Sequence, residues 1–88
     1  MPSVHREDDL RVNGAATISV GQSTVRINSK LVAVVGDPDD ATGGEFLENG
    51  STVKIGGISV IVVGDSALPD GISAATDAAT GSGTVNIG

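Results

Sequence analysis

Residues 23–37 and 51–65 of this chain are two copies of one pattern. STVRINSKLVAVVGD lies over STVKIGGISVIVVGD, with nine of fifteen positions identical and Arg26 facing Lys54 at a tenth. The copies are separated by a shift of 28 residues, from 23 to 51. A repeat of this length is one supersecondary unit that must bury its apolar face against its own copies. A third, broken copy stands at residues 83–88, where GTVNIG matches the opening STVKIG of the second and stops before a second strand.

Each full unit reads as a β-hairpin. Val25 and Ile27 alternate with polar neighbours, as do Val53 and Ile55 around Lys54, which is the pattern of a half-buried strand. Asn28-Ser29-Lys30 and Gly56-Gly57 follow as turns, and Gly-Gly suits turns that need positive φ. The apolar runs at 31–35 and 58–63 predict a second strand buried on both faces. Gly36-Asp37 and Gly64-Asp65 end the units. Short strands are expected near residues 16–20 and 45–48. Val25, Ile27, Val32, Val34, Val53, Ile55, Val60 and Val62 are the expected core. Thirteen glycines and many β-branched residues leave little room for helix. Residues 72–80, rich in Ala, are the best helical candidate and have no apolar stripe. The predicted organisation is one all-β domain of repeated hairpins: units at 16–37 and 45–65, a connection at 66–82 and a terminal strand at 83–88.

With 88 residues there is one small core, and such domains usually need a staple or a partner surface. Cys is absent, which excludes a disulfide, thiolate zinc sites and cysteine nucleophiles. Phe46 is the only aromatic residue, so there is no base-stacking platform. The net charge of −6 argues against nucleic acid or an anionic membrane as a standing partner. The polar start of the chain has no apolar segment of a signal peptide.

At the repeat the chain resembles the PAAR-repeat proteins. Their pattern is Ser-x-x-Val-x-Ile-Asn-Gly-x-Pro-Ala-Ala-Arg-x-Gly-Asp. They often open with Met-Pro, a few residues, Arg and Gly-Asp, and close on a short strand. Met1-Pro2, Arg6 and residues 81–88 match that frame, Asp8-Asp9 stands near the Gly-Asp place, and the likeness covers nearly the whole chain. Leu31-Val32-Ala33-Val34 and Ser59-Val60-Ile61-Val62 stand where the family has Pro-Ala-Ala-Arg. The resemblance implies a small cone of repeated β-hairpins with pseudo-threefold symmetry that caps the trimeric β-helical spike of a phage tail, type VI secretion system or related particle. It implies a monomer binding at one copy per trimer, through the strand edges of Val25, Ile27, Val53, Ile55, Val85 and Ile87. It also implies a brief contact with the target membrane on firing, and synthesis in the bacterial cytoplasm without a signal peptide.

Family members commonly hold zinc or iron through three His and one Cys. Here His5 is the one candidate ligand, and the expectation is a partly exposed terminal histidine without metal. The acids of residues 36–45 fail calcium-loop spacing and read as a solvated turn. No Ser/His/Asp set or carboxylate pair is picked out, so no enzyme is expected. The alternative function is a biotinyl-like carrier built from two hairpins, with Lys30 in a turn as the modified residue; a metal-dependent hydrolase comes third.

Overall fold

The computed structural model describes residues 3–18, 20–40, 43–48, 53–69, 76–82 and 85. Each full repeat is a hairpin of very short strands. β1 (Arg26–Ile27) pairs with β2 (Lys30–Leu31), and β3 (Lys54–Ile55) with β4 (Ile58–Ser59), both antiparallel. The registers are the same: Arg26 faces Leu31 as Lys54 faces Ser59, and Ile27 faces Lys30 as Ile55 faces Ile58. Both two-residue turns have positive φ throughout, at Asn28 (55°) and Ser29 (68°), then Gly56 (60°) and Gly57 (84°). This is the turn type whose twist suits a tight hairpin. The described residues contain no helix, and the fold is all-β.

The third unit is completed by the other end of the chain. Val32 N donates to Val25 O (3.1 Å) and Val60 N to Val53 O (3.0 Å); Val4 N donates to Val85 O (3.0 Å) in the same way. The second strand that the broken copy lacks is therefore the N-terminal segment. Residues 4–6, 32–34 and 60–62, each 28 residues after the last, are equivalent. They pair in a closed triangle, with bridges Val4–Val62, Arg6–Val32 and Val34–Val60. At its centre the main chains form a ring: His5 N to Ile61 O (2.9 Å), Ala33 N to His5 O (3.0 Å) and Ile61 N to Ala33 O (2.9 Å).

Each arm of the triangle turns in the same way. The carboxylates of Asp9, Asp37 and Asp65 accept from the main-chain N–H three residues earlier, at Arg6, Val34 and Val62, each at 2.9 Å. Asp8, Gly36 and Gly64 occupy the position before, with φ of 67°, 94° and 98°. Beyond these turns a second layer repeats the cycle through the bridges Arg11–Ala78, Thr17–Asp39 and Phe46–Ala67. The core is correspondingly in two parts. Val4, Val32 and Val60 pack with Ile27, Ile55 and Val85 at the hairpin end. Ala33, Ile61, Phe46 and Ala78 pack above the ring.

Several expectations need correction. Val25 and Val53 are each 40% exposed and are not core. Their strands are only two residues long, and these valines sit outside the triangle. Val62 is half-buried for a similar reason, as are both ends of the apolar runs, Leu31, Val35, Ile58 and Val63. The strands near 16–20 and 45–48 are reduced to single bridges at Ala16, Thr17 and Phe46. Residues 72–75 of the helical candidate lie outside the described residues, and 76–80 are not helical.

The equivalence of Asp8 with two glycines is testable. A left-handed backbone costs a residue with a side chain about 1–2 kcal/mol, offset in part by the greater unfolded-state freedom of glycine. Asp8→Gly is expected to raise stability by about 0.5–1 kcal/mol and Gly36→Ala to lower it by about 1–2 kcal/mol in urea unfolding. An added Cβ at Gly36 meets nothing within 4 Å, so the loss would report backbone strain alone.

Candidate functional site

Two arrangements stand out: a polar centre sealed inside the second layer, and an open apolar end formed by the hairpins.

The polar centre is built on His5. Alternation along residues 4–6 sends Val4 toward the hairpin end and His5 the other way, above the ring. His5 is fully buried, which corrects the expectation of a partly exposed terminal histidine. The reason is that residue 5 is equivalent to Ala33 and Ile61 on the pseudo-threefold axis. Its Nδ1 lies 2.6 Å from Thr80 O and its Nε2 lies 2.6 Å from Thr17 Oγ1. A carbonyl can only accept, so Nδ1 carries the proton. Arg11 Nε donates to the same Thr17 Oγ1 (2.8 Å), so the threonine hydroxyl gives its own proton to Nε2. The chain runs one way: Arg11 to Thr17, Thr17 to His5, His5 to Thr80.

Arg11 is also sealed from solvent. Its guanidinium donates to the carbonyls of Gly44, Thr76 (3.4 Å) and Asp37 (3.2 Å). It stacks 4.0 Å from the Phe46 ring centre and lies 3.9 Å from Asp39 Oδ2. His5 meets the same ring edge-on at 5.3 Å. Nothing in the motif pattern singles out Arg11. The one available signal was positional, because Arg11, Asp39 and Ala67 are again 28 residues apart. Asp37 and Asp39 are buried as well, which corrects the expectation of a solvated turn for these two acids, while Asp40 and Glu45 are exposed. Asp37 holds the N–H groups of Val20 (3.0 Å), Gly21 (2.7 Å) and Val34 (2.9 Å).

As a metal ligand His5 has both ring nitrogens committed within the core. Among the described residues no three of His, Cys, Asp or Glu are grouped to hold a metal ion. Lys30 is in β2, paired with Ile27, and is not in the turn where it was expected.

The open end carries the predicted strand-edge residues. Ile27, Ile55 and Val85 cover Val4, Val32 and Val60, while Val25 and Val53 project further and are exposed. Ile87 lies outside the described residues. Among the described residues, β1 and β3 each have one strand neighbour. Arg26–Leu31 is the non-hydrogen-bonded pair next to the turn-closing Ile27–Lys30 pair, so Arg26 points its N–H and C=O away from the hairpin. Leu31 spends its own outward groups on Glu7, donating to Oε2 and accepting from the main-chain N–H, both at 2.8 Å. Lys54 repeats the position of Arg26. These two residues mark open edges.

The chain matches no protein-family model and no curated protein.

Burial pushes the His5 imidazole below its usual 6.5; the Thr80 carbonyl and Asp9 oppose this, and Arg11 and Arg6 add to it. The unfolded chain therefore takes up the proton first as pH falls. The stability His5 contributes is full above pH 6.5 and is lost as pH falls from 6.5 through the lowered folded value. His5 is the only histidine, so its single imidazole signal in an NMR titration reads the folded value directly. A midpoint at or above 6.5 would contradict the buried relay. Arg11→Met takes the ion-pair partner from the buried Asp39 carboxylate and the donor from several carbonyls, and is expected to cost about 3–5 kcal/mol, measured by chemical unfolding.

Proposed function

We propose that the chain is a structural cap, seated by its hairpin end on the terminus of a threefold-symmetric β-structured spike. The observation that carries it is the closed triangle: one polypeptide presents three equivalent arms at residues 4–6, 32–34 and 60–62. A single chain with three like sectors fits a trimer without itself being one. Open edges at β1 and β3 suit strand addition, which satisfies main-chain groups that are otherwise a liability. The exposed Val25 and Val53 supply the apolar part of the contact. The resemblance to PAAR-repeat proteins supports the same role, as the tip of a contractile tail or injection machine. There the function is mechanical: a small, tightly cross-paired domain concentrates force on a target membrane, and no catalysis is needed.

Other exposed apolar residues do not compete as a docking face. Leu10, Val12, Ile18, Val20, Leu47 and Leu68 are exposed away from the hairpins, but their main-chain N–H groups are already paired with Thr80, Asp77, Pro38, Asp37, Ser66 and Glu45. Isolated apolar side chains over closed main chain are ordinary.

Native mass spectrometry of the chain mixed with purified trimeric β-helical spike proteins is expected to show one copy per trimer. Three copies per trimer, or a stable homotrimer of this chain alone, would refute the cap. Val25→Asp and Val53→Asp sit at exposed positions and should leave the free fold intact. A charge desolvated at the seat costs several kcal/mol, so either change is expected to abolish the complex.

A further inference from the structure

We infer that the spike end this cap grips is acidic: the strands that add beside Arg26 and Lys54 carry Asp or Glu on their outward face. This rests on the cap proposed above and specifies its partner. The first observation is how the charges are sorted. The chain has five cationic residues and eleven acidic ones. Arg6 is engaged with Asp9, through Nε at 2.8 Å and Nη2 at 3.0 Å. Arg11 is sealed in the core. The remaining three, Arg26, Lys30 and Lys54, all lie on the hairpin strands, and among the described residues none is in an ion pair. No acidic residue occurs in either hairpin between positions 25 and 31 or 53 and 59. Acids from elsewhere reach the second strands, Glu7 at Leu31 and Glu48 at Ser59, whereas the first strands, which carry the open edges, hold only the cations Arg26 and Lys54.

The second observation is the direction of these side chains. Val25 and Ile27 turn toward the apolar seat, so strand alternation turns Arg26 to the opposite, outer face; Lys54 does the same between Val53 and Ile55. Both are exposed. An added strand would pair its main chain with Arg26 or Lys54 and place a side chain beside the cation. Opposite charges across such a pair are favourable, and like charges directly opposite are unfavourable. Arg26 and Lys54 occupy the same position in two of the three sectors. The residue following Val85 in the third is Asn86, which lies outside the described residues, so two sectors supply the charge selection. Complementary charge of this kind sets partner choice and association rate more than raw affinity.

The same cations could meet an anionic bilayer. Three of them on a strongly acidic chain fall short of the about four to eight that make a lipid-binding cluster, and a bilayer offers no main-chain partners to the open edges. A protein partner is favoured.

The test uses the spike trimer that binds at one copy per trimer, with affinity measured by calorimetry between 0.05 and about 0.3 M salt. Wild-type binding is expected to weaken as salt rises. Arg26→Glu/Lys54→Glu is expected to bind about tenfold or more weakly at low salt, with an unchanged urea midpoint. Glu45→Gln, an exposed acid outside the hairpins, should bind as wild type. Reversing the facing acids on the trimer to Lys should restore binding to the doubly reversed chain. Undiminished binding of that chain overturns the acidic-partner inference while leaving the cap in place. Failure of the wild type to bind any β-helical trimer removes both. Salt-sensitive binding to phosphatidylserine vesicles, lost in the reversed chain while trimer binding is kept, overturns it in favour of a lipid surface.

Discussion

The fold depends on three main-chain hydrogen bonds arranged head to tail around an axis, from His5 to Ile61, from Ala33 to His5 and from Ile61 to Ala33. Each arm of the triangle both gives and receives one, so no arm can be removed without orphaning the other two. The ring forces residues 5, 33 and 61 together with no exposure at all. Three side chains then share one small space above it. At this position the copies diverge to His, Ala and Ile, whereas on the other side of the ring residues 4, 32 and 60 are valine in all three.

The layer above solves the problem of stabilising a small domain without a disulfide. Arg11 reaches to the carbonyls of Gly44, Thr76 and Asp37, the Thr17 hydroxyl and the Asp39 carboxylate. These groups belong to segments far apart in sequence. A planar guanidinium with five donors suits such a junction better than an ammonium would. Burial of the charge is tolerable because the surrounding groups are acceptors and the Phe46 ring faces it. Arg6 makes a looser junction of the same type, joining Asp9, Asn28 and Gly81.

The two hairpins were legible because their signals are local: alternation at Val25/Ile27 and Val53/Ile55, turn residues between, and Gly-Asp at the end. The split third unit was not. Its N-terminal half keeps only Val4 and Asp9 of the pattern, and Asp8 stands where a glycine would have announced the turn. The equal spacing of Asp9, Asp37 and Asp65 was the remaining signal. His5 was misplaced because a histidine near a chain end reads as exposed, and only closure of the triangle buries it. Arg11 and Asp39 were opaque for a related reason: charged residues are rarely buried, and their partners come from loops that no periodicity marks. The open end was legible in its strand residues, although the sequence alone placed Val25 and Val53 inside the core.

The split unit also sets the order in which the molecule can be made. Val4 meets Val85, and His5 meets Thr80, across nearly the whole chain. During synthesis the first strand emerges early and waits, with its apolar face open, until residues 60–62 and then 80–85 are available. The two hairpins can form as soon as they appear, since their contacts are local, but the ring closes only when Ile61 reaches His5, and the third sector only when Val85 reaches Val4. Non-local closure of this kind slows folding. The assembled domain gains the converse property: its two terminal segments hold each other down, so fraying at one end is opposed by the other.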